Sequence, residues 1–434
     1  MSTLQREVGL IGAMMMGLGS ILGTGVFVSV NIATEVTGPA VVLAIAVAAL
    51  VATLNGLSSA QLAANHPVSG GTYEYGYRWL TPTLGFVAGF LFLCAKSASA
   101  ATAALGFTGY SLSFLGIERP DWVVPISVIT VVLVTLLVLS GIKRSNAMNI
   151  IIVSITLISL ACFVLLGLSA SLSNAGENLV PFFQPETGDT PVASFLEACA
   201  LMFVAFTGYG RIATLGEEVH EPRRTIPRAI IVTLIVSSVV YMLVGFVSVA
   251  AVSSTDLMDS SYSQSAPLEQ IARSLEFSPL AQRLIAVGAV TAMLGVLLNL
   301  VLGLSRVAFA MGRRSDIPIY LGKVTEKNSN PTNAILLVGG VILLLTLIGN
   351  VKTTWSFSAF TVLIYYAITN LAAIRLSEAE RLYPHWIPWA GLILCLSLAF
   401  WVETRIWITG TGIVLLGLVY RFVRHQLLNS GKSD

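Results

Sequence analysis

The chain is 434 residues long, 55% hydrophobic and 11% charged, with a mean hydropathy of +0.84. Soluble domains carry about 25% charged residues, so this composition leaves too little polar surface for a globule in water and implies a chain dissolved in lipid. A net charge of +2, with basic residues scattered through short connectors, excludes the clustered stripe of a nucleic-acid binder.

A helix needs about 20 apolar residues to cross a bilayer core. Such runs start near Gly9, Pro39, Leu84, Trp122, Asn149, Phe195, Ile230, Leu280, Asn333, Ser356, Trp386 and Ile406, predicting about twelve transmembrane helices. The runs are continuous rather than alternating, which points to helices and not to a barrel. The first, Gly9 to about Val30, is too long for a signal-peptide core and is expected to be retained. Cys94, Cys162, Cys199 and Cys395 lie inside apolar runs without metal or redox spacing and are expected as small core residues. No His, Cys and acid cluster converges, so no enzyme centre, metal site or cofactor is expected. With the N-terminus in the cytoplasm, sixteen of the 24 Lys and Arg residues fall in inner loops and tails and five in outer loops. Lys96, Arg211 and Arg306 fall within spans. This asymmetry predicts a multi-pass protein of the cell membrane with both termini cytoplasmic.

Two helices carry interruptions. Helix 1 clusters Gly17, Gly19, Gly23 and Gly25 at mid-span, and helix 6 has Thr207, Gly208, Tyr209 and Gly210 near its middle. Each glycine weakens a helix by about 0.5–1 kcal/mol relative to alanine. If five helices make one repeat, these are the first members of two halves, and paired Gly-interrupted segments point to a transport site. Unwound backbone at membrane depth must line a cavity or be packed in protein. Its free N–H groups suit a carboxylate and its free carbonyls an ammonium, so the pair suits an α-amino acid. Close helix packing is the plainer use of the same glycines.

Four stretches resemble the amino acid–polyamine–organocation superfamily of secondary transporters: Gly19 to Phe27 (GSILGTGVF), His66 to Leu80, Phe203 to Ile230 and Ser305 to Pro318. The similarity runs from about residue 5 to about 375. It implies an all-α membrane protein of the leucine-transporter-like fold, with five helices plus five in inverted repeat over 1–375 and two more helices with a tail over 376–434. It implies that the helix-1 backbone at Ile21, Leu22, Gly23, Thr24 and Gly25 holds the substrate carboxylate. Helix-6 positions Val204, Ala205, Phe206 and Thr207 would supply ammonium-binding carbonyls and an aromatic gate, Phe206. In proton-coupled relatives a helix-5 lysine occupies a sodium position; here that position aligns with Thr156. Sodium-coupled members place paired hydroxyls on helix 8, whereas this chain has only the distant Thr291 and Ser305 between Leu284 and Phe309.

Lys96 lies mid-span in helix 3, where a lysine costs about 2.5–3.5 kcal/mol and marks a functional candidate. Its helical neighbours Gly89, Leu93, Ser99, Ala100 and Ala103 are mostly small, so this face is expected against protein. Lys96 is a proton-coupling candidate; a static tether to backbone carbonyls is the alternative. Arg211, with Glu217 and Glu218 two turns later, could form an inner gate. Arg306 is expected to be structural, Tyr209, Tyr365 and Tyr366 to pack, and His66, His220, His385 and His425 to be solvated.

The expected function is secondary transport of amino acids, neutral ones first because Lys96 would repel a cation, by proton coupling or exchange. Its expected partners are that small substrate and the bilayer. A cationic amino acid or polyamine antiporter is the alternative, but the only acid near the site is Glu197, toward the outer end of helix 6. A sensor that binds without transporting is another; such chains carry long tails, and here about a dozen residues follow Val423.

Overall fold

Lipid offers no partner to a backbone N–H or C=O, and a helix satisfies both within one segment. The computed structural model describes residues 8–68, 70–117, 119–141, 146–184, 189–213, 219–252, 266–324 and 331–430. In chain order its helices are α1 (Leu10–Ile21), α2 (Val30–Thr37), α3 (Val41–Asn65), α4 (Thr72–Trp79), α5 (Pro82–Phe114) and α6 (Val123–Leu139). There follow α7 (Asn146–Asn178), α8 (Pro191–Phe206), α9 (Gly210–Ala213), α10 (Pro222–Ala251) and α11 (Pro267–Ser274). The last five are α12 (Pro279–Arg313), α13 (Thr332–Thr346), α14 (Val351–Ile374), α15 (Trp386–Ala399) and α16 (Thr404–Ser430). Among the described residues no strand forms, and Val8 and Val219 make an isolated parallel bridge.

Nine helical stretches among the described residues are long and apolar enough to cross a membrane. Leu10–Asn65 is one stretch of 56 residues and holds both of the first two expected runs. The runs expected from Asn333 and Trp386 fold as the shorter α13 and α15, of 15 and 14 residues. Beyond α13, Gly349 takes a φ of +71°. That left-handed turn is open to glycine without strain, and it sends the chain into α14 after about 22 Å of helix.

Three long helices start by one device. Thr81, Thr190 and Ser278 each accept a hydrogen bond from the amide three residues on, with a proline next in sequence. The hydroxyl satisfies one of the free N–H groups, worth about 1 kcal/mol, and proline fits the first helical position, where an N–H has no partner anyway.

α5 sits at the centre, buried over most of its length by alanine, serine and glycine. These let it approach α12 and α14 closely. Ser99 and Thr102 meet Ser358 and Thr354 of α14 at 2.8 Å each, and a Cβ at Gly106 would stand 2.7 Å from the Met293 sulfur. The rim is apolar and outward-facing, with Leu133, Leu165, Leu344, Ile393 and Leu416 all exposed. Of the four cysteines, Cys199 and Cys395 are buried and Cys94 and Cys162 half-buried, as expected for small packing residues.

A polar latch ties α4, α12 and α16 together at one end of the bundle. The buried Asp316, just after α12, pairs with Arg421 of α16 at 2.7 Å and accepts the hydroxyls of Tyr73 and Tyr77 of α4 at 2.7 and 2.6 Å. Burial first, and the Asp316 carboxylate with it, push both phenols up, so they remain donors. Arg314 pairs with Glu74 at 2.7 Å. Removing one partner of a buried ion pair costs about 3–5 kcal/mol. Asp316→Ala is therefore expected to lower the unfolding temperature of the purified protein, and an unchanged midpoint would show the latch to be idle. His66, expected in solvent, is half-buried beside Arg78, its Nδ1 3.0 Å from the guanidinium. Burial and the Arg78 and Arg314 charges lower its pKa, favouring the neutral ring.

Candidate functional site

Both interruptions are present. α1 ends at Ile21, and Leu22 leaves the helix with φ −78° and ψ 77°. The Gly23 amide turns back to the Ile21 carbonyl at 2.9 Å, and the chain resumes as a wide π-turn over Gly25–Ser29 before α2. α8 ends at Phe206, passes through one 3₁₀ turn (Thr207–Tyr209) and resumes as α9.

Glycine lets the breaks touch. A Cβ at Gly208 would stand 2.5 Å from the carbonyl carbon and oxygen of Ser20, so the two backbones lie against one another. A Cβ at Gly25 would collide with the hydroxyl of Tyr241 and come within 3.0 Å of Ala205. Tyr241, on α10, joins the breaks: its hydroxyl reaches the carbonyls of Ile21 at 2.7 Å and Ala205 at 3.1 Å. Carbonyls without a helical partner must be satisfied at this depth, and a tyrosine between them serves both.

Lys96 reaches the same place from α5. Its Nζ donates to Thr207 Oγ1 at 2.7 Å, and that hydroxyl donates to the Val204 carbonyl at 2.7 Å. The Thr207 carbonyl accepts from Tyr366 Oη at 3.3 Å. Lys96 is therefore joined through a side chain to the turn that ends α8, rather than to a backbone carbonyl directly.

A cavity of about 380 Å³ runs from Gly70 and Arg313, near the latch, to Lys96, Thr207 and Gly208 at its floor. The opposite end is closed. Tyr110 Oη donates to the Phe27 carbonyl at 2.9 Å and accepts the Leu268 amide of α11 at 3.1 Å. Arg273 of α11 holds Glu269 at 2.9 Å and the Ser113 carbonyl of α5 at 3.0 Å.

Of the residues expected to bind substrate, Thr207 lines this cavity. Ile21, Leu22, Gly23, Thr24, Gly25, Val204, Ala205 and Phe206 are buried behind its floor. Phe206 packs edge-on against Tyr241, ring centroids 4.9 Å apart, with no exposed surface. Among the described residues Thr24 Oγ1 has no hydrogen-bond partner. Arg211 lines the cavity, whereas Glu217 and Glu218 lie outside the described residues. Arg306, expected to be structural, and Tyr366, expected to pack, also line it. Glu197 is buried within α8 and is not among the cavity residues. Thr156, Thr291 and Ser305 each donate to a carbonyl of their own helix.

The sequence pattern of the amino acid permease family matches residues 12–431. An uncharacterized transporter of Mycobacterium tuberculosis (strain ATCC 25618 / H37Rv) is 36% identical over 430 residues, 99% of this chain and 94% of the relative. The branched-chain amino acid permease BcaP of Bacillus subtilis is 27% identical over 98% of this chain and 95% of its own. Cationic amino acid transporter 7 of Arabidopsis thaliana is 26% identical over 90% of this chain and 69% of its own. The chain belongs to the amino acid permease family, within the amino acid–polyamine–organocation superfamily. It is a multi-pass membrane protein of a family of transporters, not enzymes.

Proposed function

We propose that this permease moves neutral amino acids across the cytoplasmic membrane by alternating access, with α-amino and α-carboxylate groups held at the α1 and α8 breaks. The observation that carries the reading is the meeting of both breaks with Lys96 at the floor of one cavity. In this reading residues 1–375 form the five-plus-five inverted repeat, 376–434 supply two further helices, and both termini are cytoplasmic. The cavity then opens inward and α11 seals the outside. Substrate enters the breaks by displacing the hydroxyls that occupy their carbonyls, Tyr241 Oη and Thr207 Oγ1, and its ammonium takes their place. Arg211 serves the inner gate.

Lys96 carries the proton. A lysine can release a proton at accessible pH where arginine cannot, and its charge is bonded to the turn that must move when substrate binds. Neutral substrates are favoured over cationic ones because Lys96, Arg211, Arg306 and Arg313 all line the cavity, and no Asp or Glu does among the described residues. The branched-chain specificity in the name of one relative agrees with this, and the cationic specificity in that of another does not.

A thermal-shift screen of the amino acids on purified protein tests the substrate class: leucine-like side chains should raise the unfolding temperature, and stabilisation by lysine or arginine alone would contradict the reading. Sodium should be dispensable, because Thr291 and Ser305, the only hydroxyls between Leu284 and Phe309, stand about four turns apart on α12 and cannot share one ion. Uptake into proteoliposomes is expected to stay within twofold when choline or potassium replaces sodium; a steep sodium dependence would contradict it.

A further inference from the structure

We propose that Arg211, Arg306 and Asn299, set around Gly303 on the cavity wall, form a second carboxylate-binding site, separate from the breaks. This rests on the reading of the cavity as the substrate path. Asn299, Gly303, Arg306, Ala310 and Arg313 recur at three- and four-residue spacing and line the cavity from one face of α12. On that face a Cβ at Gly303 would have a single neighbour within 4 Å, Arg211 Nη1 at 3.9 Å. The guanidinium of α9 thus lies over Gly303, with no second heavy atom within 4 Å of that Cβ position. Arg306 stands about one turn nearer the mouth and Asn299 about one turn deeper.

The chemistry of this set is that of an anion clamp. Two guanidiniums offer forked N–H donors that match a carboxylate, and the Asn299 amide can add a third donor. Arg306 is exposed and makes no ion pair or hydrogen bond among the described residues. With Lys96 at the floor and Arg313 at the mouth, the cations form a graded path without a fixed anion among the described lining residues. Low-dielectric walls focus such a field and concentrate anions in the cleft. A carboxylate is the group an amino acid brings to it. It comes either from an acidic side chain, with the α-carboxylate at the break, or from the α-carboxylate itself in transit.

Affinities of L-leucine and L-glutamate for purified wild type, Arg306→Gln and Arg306→Lys test the site. Arg306 is exposed, so both variants should fold, as the unfolding temperature will show. Arg306→Gln is expected to weaken binding at least tenfold, with Arg306→Lys intermediate because it keeps the charge and loses the fork. A loss confined to L-glutamate assigns the site to an acidic side chain; an equal loss for both assigns it to the α-carboxylate. If both ligands bind Arg306→Gln within twofold of wild type, this site is overturned while the proposed function stands. If neither binds wild type, both fall together.

Discussion

Lys96→Ala is expected to give a folded carrier whose uptake ignores external pH and no longer concentrates substrate, with proton-driven uptake reduced at least tenfold and exchange retained. An ammonium at mid-membrane costs about 2.5–3.5 kcal/mol, and here it is held by Thr207 at 2.7 Å, in the turn where α8 gives way to α9. The protonated amine must donate, and so fixes Thr207 Oγ1 toward Val204. The neutral amine can also accept, which frees the hydroxyl from its carbonyl. Proton and substrate therefore act on one turn, and each must change the affinity for the other by the same factor. Lys96→Arg is expected to fail as fully as alanine, since it cannot release the proton. Thr207→Val, which keeps the lysine and removes its partner, should blunt the pH response without abolishing exchange. Were Lys96 only a tether, arginine would substitute and alanine would lower the melting temperature while leaving the pH profile intact. Uptake measured against external pH in the four proteins distinguishes the two.

Gly25→Leu is expected to abolish amino acid binding, a loss of at least a hundredfold, in a protein that still inserts and purifies. The collision of even a single carbon at this position with the Tyr241 hydroxyl, and its approach to 3.0 Å from Ala205, leave no room for a larger side chain while the breaks remain together. Gly23→Leu should act similarly by pushing on Val296 of α12, 2.5 Å from the added Cβ. Gly412 of α16 has nothing within 4 Å of its Cβ position, so Gly412→Leu is the matched control and should bind as wild type. Calorimetric titration of the three variants checks this, and normal binding by Gly25→Leu would remove the α1 break from the site.

Much of this site is legible in the residues because its signals break local rules. Glycines at mid-span and a lysine in an apolar run each oppose what lipid favours, and they locate both breaks and Lys96. Tyr241 breaks no rule: a tyrosine in an apolar helix has the same pattern whether it packs or caps two carbonyls, and only the approach of α10 to both breaks separates these. Tyr366 is hidden for the same reason. The arginines of α12 repeat at seven residues, which places them on one face, but which face meets the cavity depends on packing against α5. Phe206 shows the converse limit, since its position beside the break is visible in sequence while its side chain turns away into Tyr241. The shortness of α13 is set by a turn at Gly349, and the apolar run alone overstates it.

Counterflow tests whether the two breaks form a site from which an amino acid is carried across the membrane. Proteoliposomes are loaded with unlabelled L-leucine and diluted into a trace of labelled L-leucine, with no ion gradient imposed. A transient overshoot of internal label above equilibrium is expected for wild type and Gly412→Leu, and none for Gly25→Leu. Entry of label no faster than into protein-free vesicles, for leucine and for every other amino acid tried in the same way, would contradict it.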